Sequence, residues 1–491
     1  MKTRQPTVCN TCRSRKLGCD GKQPSCTQCL HSGRVCPGYH KDFVFRPPTT
    51  PRPAIAKARA GTNNPAGKGK PKAPNLVEKR TSSRNRTSIT RALTWPVNDV
   101  LSLCVQNFVP SSELGSRTRD SSVSQSRICG AWIEELPELI GEGDDELLPC
   151  AIRALGTTLV ARGRNGRAPI SEAVRTQCLV LNILQHTINL RENSNHDRLA
   201  ASIMCLYLSE KLLPTSSSGS LVHAKGISEL IQLQPPSFYA SGVSHRLFVG
   251  FRPLLILHSL TCHTSTFLAA SEWLQGPFSH VHATPMQELM NEASRVPSIL
   301  EKLDNCQAMN SVTETLARDA VDQLAEILGG FELCYRSIQE SSKDALWWTS
   351  YGHGVDDISI SFPNITMANY LTHFWAFWIV CVTQIRQLTA QFPGLIDQDT
   401  LANGRGKELT SELVRQKCLK LSRQIFLSID YLLQDDMRIY GIASASYPLQ
   451  IACATMETLG NGTEDMQLLR RRVDDGITQK GYDDFFQVVL K

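Results

Sequence analysis

CNTCRSRKLGCDGKQPSCTQCLHSGRVC, residues 9–36, holds six of the chain's 17 cysteines, with Arg13, Arg15 and Lys16 interleaved in its first half. One half-motif runs twice: Cys9, Cys12 and Cys19, then Cys26, Cys29 and Cys36, each with two and then six intervening residues. Three readings compete for such a stretch: a disulfide scaffold, a mononuclear zinc site and a binuclear cluster. Disulfides need an oxidising compartment. The opening MKTRQPTVCN has no apolar run of a secretory signal, so an intracellular setting is expected. A mononuclear four-cysteine site would leave two thiols over. Two tetrahedral zinc ions need eight ligand positions, which six thiolates fill if two of them bridge both metals. The repeated half-motif fits that count. Twenty-eight residues cannot bury a useful core, so metal binding is expected to supply most of the folding free energy of this module.

The spacing resembles the fungal Zn2Cys6 binuclear zinc-cluster family of transcription regulators. The resemblance implies that Cys9, Cys12, Cys19, Cys26, Cys29 and Cys36 are all ligands of two Zn2+ per chain, with Cys9 and Cys26 as the bridging pair. It also implies two short helices around the metals, each opened by a C-x2-C. The first helix would deliver a basic pair, here Arg15 and Lys16, to a CGG triplet in the major groove of double-stranded DNA. Guanine offers O6 and N7 acceptors that Arg meets bidentately and Lys meets as a point charge. Arg13 is expected on phosphate. Gly18 departs from the family, which usually has a lysine just before the third cysteine. Between the halves, Gly21 and Pro24 of DGKQPS suit a turn, and Gly33 suits the end of the helix that starts near Cys26.

Net charge divides the chain. Residues 1–95 carry a formal +17 and residues 96–491 a formal −11. A basic end attracts polyanions and releases their counterions on binding, so this end is expected to meet nucleic acid. From 37 to 95 the chain is rich in Pro, Gly, Lys and Arg and poor in large apolar residues. This composition cannot repay the entropy of ordering, and it predicts a disordered basic linker. Lys68, Lys70, Lys72, Lys79, Arg80, Arg84 and Arg86 suit nuclear import as well as plain solvation. GTNNPAGKG within it is not a P-loop, since Gly69 stands where Ser or Thr is needed. No heptad pattern runs through 40–95, so dimerisation, if present, must arise elsewhere.

Residues 96–491 alternate apolar helical windows with short breaks. LLPCAIRALGTTLVAR (147–162), SEAVRTQCLVLNILQHTI (171–188), DRLAASIMCLYLSEKLL (197–213), SVTETLARDAVDQLAEILGGFELC (311–334) and SELVRQKCLKLSRQIFLSIDYLLQ (411–434) space apolar residues at helical intervals. The expected fold is a large all-α C-terminal domain, with a division into two subdomains near the polar stretch 340–365. The most apolar window, YLTHFWAFWIVCV (370–382), is 13 residues long against the roughly 20 of a membrane helix, and reads as the central buried helix. No membrane partner is expected. The eleven cysteines after Cys36 fall mostly in apolar patterns such as IMCLYL and FWIVCV, and read as reduced, buried small hydrophobes.

GSLVHAKGISELIQLQ (219–234) and SHRLFVGFRPLLILHSLTCHTSTFLAASEWLQGPF (244–278) resemble, diffusely, the middle of the helical regulatory domain that accompanies such clusters. That resemblance implies control of secondary-metabolite gene clusters. No nucleophile elbow, HExxH or dinucleotide fingerprint appears, so no enzyme is expected. His258, Cys262 and His263 sit close enough along one helix for a metal, but no further ligand group accompanies them. His223 reads as structural. Arg162, Arg164 and Arg167 read as a solvated loop, and EELPELIGEGDDEL (134–147) as an activation segment or an amphipathic helix edge.

The expected organisation is a DNA-binding cluster at 9–36, a linker at 37–95 and a helical regulatory domain at 96–491. The expected function is nuclear, sequence-specific transcription regulation at CGG-containing sites, with a homodimer partner or the transcription machinery as further contacts. The competing reading is a helical ligand sensor or enzyme that the zinc module tethers to DNA or a partner.

Overall fold

The structure, a computed structural model, describes residues 11–12, 19–22, 26–32, 36, 95–114, 131–141, 146–162, 170–190, 195–216, 218–309, 312–351, 358–395, 411–459 and 464–482. Two compact units divide the chain, residues 1–79 and 80–491. The linker expected at 37–95 lies outside the described residues except for Trp95.

In the first unit residues 11–12 are helical, and α1 spans Thr27–His31. Its only buried residues among those described are Cys12, Cys26 and Cys29, with Cys19 and Cys36 packed against them. Sulfur supplies the core of this unit.

The second unit is almost wholly helical. Its helices are α2 (Val97–Phe108), α3 (Ser111–Leu114), α4 (Leu136–Ile140), α5 (Leu147–Arg162), α6 (Ile170–Leu190), α7 (His196–Leu212), α8 (Gly219–Ile231), α9 (Gly242–Cys262), α10 (Ser271–Gln275), α11 (Pro285–Ala308), α12 (Glu314–Ser341), α13 (Ile365–Gln391), α14 (Ser411–Leu432), α15 (Arg438–Thr458) and α16 (Glu464–Gln479). Side-chain caps start several of them. Asn195 accepts from the N–H of Asp197 and of Arg198 at α7, Thr313 from Leu316 at α12, and Asn364 from Met367 at α13. α9 ends in a left-handed residue, His263 at φ 47°, whose ring Nδ1 lies 2.7 Å from Asp304 Oδ2.

α13 is the axis of the unit. Tyr370, Leu371, Phe374, Trp375, Phe377 and Trp378 point in different directions around it and are all buried, because α12, α14 and α15 pack on separate sides. Phe377 stacks on Phe331 and Phe374 on Tyr335, at ring separations of 5.9 and 5.0 Å. The helix is 27 residues long, twice the window that the sequence marks, and by length and composition it would pass for a membrane span. Yet 83% of its most apolar stretch is buried within the unit. Two of its polar side chains are met internally: Asn369 Nδ2 donates to Tyr440 Oη at 2.7 Å, and His373 Nδ1 pairs with the Asn369 carbonyl at 2.8 Å.

Two expectations need correction. The polar stretch 340–365 does not divide the helical unit, since one apolar core runs from Val100 to Ile477 and includes Leu346, Ile360 and Phe362. The unit is also not all-α. β1 (Trp348–Tyr351) and β2 (Ile358–Ser361) pair antiparallel with Trp348 opposite Ser361. ISISF alternates as a half-buried strand should, and Ile360 and Phe362 are its buried residues. The acidic segment 134–147 docks by α4, whose Leu136 and Leu139 are buried. Arg246 holds Glu135 at 2.7 Å and Glu138 at 3.0 Å. Burial raises the Glu135 carboxyl above its usual range despite that guanidinium. The helix-edge reading of this segment therefore holds for α4.

Candidate metal centre

α1 positions the centre. Cys26 is its N-cap, with an extended backbone at φ −70° and ψ 148°, and its Sγ accepts the N–H of Cys29 at 3.4 Å. A C-x2-C at a helix start thus turns both sulfurs inward. Ser32 is the C-cap of α1, so Gly33 falls at the next position, although Gly33 itself lies outside the described residues. Gly21 adopts φ 71°, the left-handed conformation for which the turn between the halves needs glycine.

The sulfurs converge from both halves of the motif. Those of Cys12, Cys26 and Cys29 lie within 4.8 Å of one another, and so do Cys19, Cys26 and a carboxylate oxygen of Asp20. Cys26 belongs to both groups. Cys12 and Cys26 stand 3.7 Å apart, too far for a disulfide at about 2.05 Å. Two sulfurs bound to one tetrahedral zinc at about 2.3 Å each would be about 3.8 Å apart. The donor set is therefore soft, buried and spaced for zinc. All five described cysteines here are free of disulfides.

Asp20 was not singled out by its sequence. Its Oδ1 accepts the N–H of Thr27 at 3.1 Å and its Oδ2 accepts the Thr27 hydroxyl at 2.5 Å. The hydrogen bond from Thr27 holds the carboxyl below its ordinary range. Asp20 thereby ties the end of the first half-motif to the first residue of α1. The signal was present: an acidic residue just before a Gly turn and seven residues upstream of a helix start.

Of the expected site residues, the structure brings together Cys12, Cys19, Cys26, Cys29 and Cys36. Cys9, Arg13, Arg15 and Lys16, with Gly18, lie outside the described residues. The histidine and cysteine group on α9 does not converge: Cys262 Sγ is 3.6 Å from His258 Nδ1, while His263 turns away to Asp304.

Residues 7–43 match the family model of the fungal Zn(2)-Cys(6) binuclear cluster domain. An uncharacterized transcriptional regulatory protein of Schizosaccharomyces pombe is 52% identical over 33 residues. That stretch is 7% of this chain and 4% of the yeast protein, so the likeness is confined to a short segment. No solved structure matches. A cluster of this kind binds two zinc ions, and the thiols of residues 12–36 are positioned to hold metal.

Proposed function

We propose that this chain is a zinc-dependent, DNA-binding regulator of transcription, acting in the nucleus and not as an enzyme. One observation carries the reading: thiols from both half-motifs gather at tetrahedral zinc spacing inside a segment that matches the fungal cluster domain. Cys9, Cys12, Cys19, Cys26, Cys29 and Cys36 are the ligands. The place of Cys26 in both sulfur groups supports it as one of the two bridging thiolates, with Cys9 as the other. Six thiolates and two Zn2+ leave a formal charge of about −2, which Arg13, Arg15, Lys16 and Lys22 outweigh. Arg15 and Lys16 read CGG, and Arg13 holds phosphate. The name of the yeast relative supports the regulatory part of the reading. A second copy of the chain, or the transcription machinery, is the further partner, and genes of a secondary-metabolite cluster are the targets.

Selection from random DNA with the zinc-loaded full chain should enrich CGG-containing sites. Arg15→Ala or Lys16→Ala should then cost about 1–3 kcal/mol and relax preference at CGG. No enriched site would refute sequence-specific binding, and equal weakening on all DNA would move those two residues to phosphate. Genome-wide occupancy paired with transcripts of a deletion strain tests the proposed targets.

A further inference from the structure

The helical unit contains a pocket for which DNA binding has no use. α7, α8, α9 and α15 enclose it, with Phe108 of α2 and Trp132 contributing, around a cavity of about 140 Å3 that opens to solvent. The wall is mostly carbon, including Met204, Leu208, Leu254, Leu257 and Ala443. Into this wall α7 brings Lys211 and α9 brings His258, with Thr261 and Gln450 as uncharged polar groups.

Lys211 is the unusual member. No carboxylate lines the pocket, and among the described residues Lys211 has no ion pair. The acid next to it in sequence is committed elsewhere: Glu210 Oε1 accepts the N–H groups of Thr215 and Ser216 at 2.8 and 3.0 Å. The ring of Tyr207, 6.0 Å from the ammonium, is weak compensation. Burial lowers the Lys211 pKa, which expresses the cost of drawing an ammonium partly out of water without a counter-charge. Burial, and then Lys211 itself, also lower the His258 pKa. A metal cation is disfavoured by that ammonium. One fixed positive charge in a carbon-lined pocket is complementary to one negative charge on an apolar body.

We propose that this pocket binds a small amphipathic anion, an aliphatic or aromatic monocarboxylate, with Lys211 as its counter-ion. Such a ligand would touch α7, α9 and α15 at once and tie together segments far apart in the chain. The inference does not rest on the DNA-binding reading, since it concerns a separate unit and is measured without DNA.

Calorimetric titration of the zinc-loaded full chain with octanoate, octan-1-ol and octylamine tests it. Octanoate should saturate one site per chain, at least about tenfold tighter than the alcohol or the amine, as a charged hydrogen bond in a part-buried site allows. Lys211→Met, which keeps length and apolarity, should lose about tenfold or more for octanoate and leave octan-1-ol unchanged. Lys211→Arg should retain octanoate, and Leu257→Trp, which fills the pocket, should abolish both. If Lys211→Met does not fold, Lys211→Arg and Leu257→Trp carry the comparison. Equal affinity for acid and alcohol, octanoate affinity untouched by Lys211→Met or Leu257→Trp, or binding of none of the three probes would overturn the proposal.

Discussion

His373 is a histidine that must stay neutral for the helical unit to stay folded. It is 1% exposed at the middle of α13, faces the rings of Phe377 and Tyr447, and its Nδ1 pairs with the Asn369 carbonyl. Burial lowers its pKa from 6.5 to about 4, against a small opposing effect of that hydrogen bond. In the unfolded chain the ring protonates near its ordinary value, so below that pH the unfolded state binds the extra proton. Stability from this residue is present above pH 6.5 and is lost as pH falls toward 4. The full difference is about 3 kcal/mol, and most of it, roughly 2–3 kcal/mol, should appear between pH 7.5 and 4.5. Burial also lowers the pKa of buried His245 and half-buried His196, so the wild-type profile alone cannot assign the loss. The comparison with His373→Asn can. The substitution leaves a cavity whose cost is independent of pH, whereas the proton penalty disappears. Urea unfolding followed by tryptophan fluorescence reports the helical unit alone, because all seven tryptophans lie at or beyond Trp95. The stability gap between wild type and His373→Asn should narrow by about 2–3 kcal/mol as pH falls from 7.5 to 4.5. A gap constant across that range would refute the reasoning that burial keeps this ring neutral.

Chelating zinc with excess EDTA should abolish structure in residues 9–36, seen as collapse of amide dispersion by NMR. The urea midpoint of the tryptophan signal should move by less than about 0.5 kcal/mol equivalent, because the thiol core and the helical core are separate. Asp20→Ala removes the acceptor for the Thr27 N–H and hydroxyl and should weaken zinc binding. Competition with a chelating dye would read this as a loss of zinc affinity, and unchanged affinity would deny Asp20 its role in tying the halves together. Gly441→Ala places a Cβ inside contact distance of the Leu432 carbonyl oxygen and 2.6 Å from Met437 Cβ. A backbone atom cannot swing aside, so about 1–3 kcal/mol of destabilisation is expected in the urea midpoint.

Local pattern carried much of this protein. The window 147–162 coincides with α5, and 411–434 contains α14, because amphipathic spacing is a property of one helix and its own residues. Six cysteines at fixed intervals are equally local, and the second C-x2-C sets the start of α1, which places Cys26 and Cys29 together. Other features depend on what meets what. α13 outruns its apolar window because its neighbours α12, α14 and α15 also leave positions beyond it buried, such as Asn369 and Ile385. The hairpin β1–β2 disappears into a polar stretch when it is read alone, and only its packing of Ile360 and Phe362 joins that stretch to the core. Asp20 looks like an ordinary turn residue until Thr27 is folded against it.

Sequence by itself determined the metal chemistry of the first unit and the helical character of the second, because ligand type, spacing and period are written residue by residue. Tertiary structure alone decided that the helical unit has one continuous core, and that Lys211 and His258 share an apolar pocket without a carboxylate. These two residues are 47 positions apart on helices that meet only when the core forms. Burial and the absence of a counter-charge are properties of that meeting, and no stretch of either helix contains them.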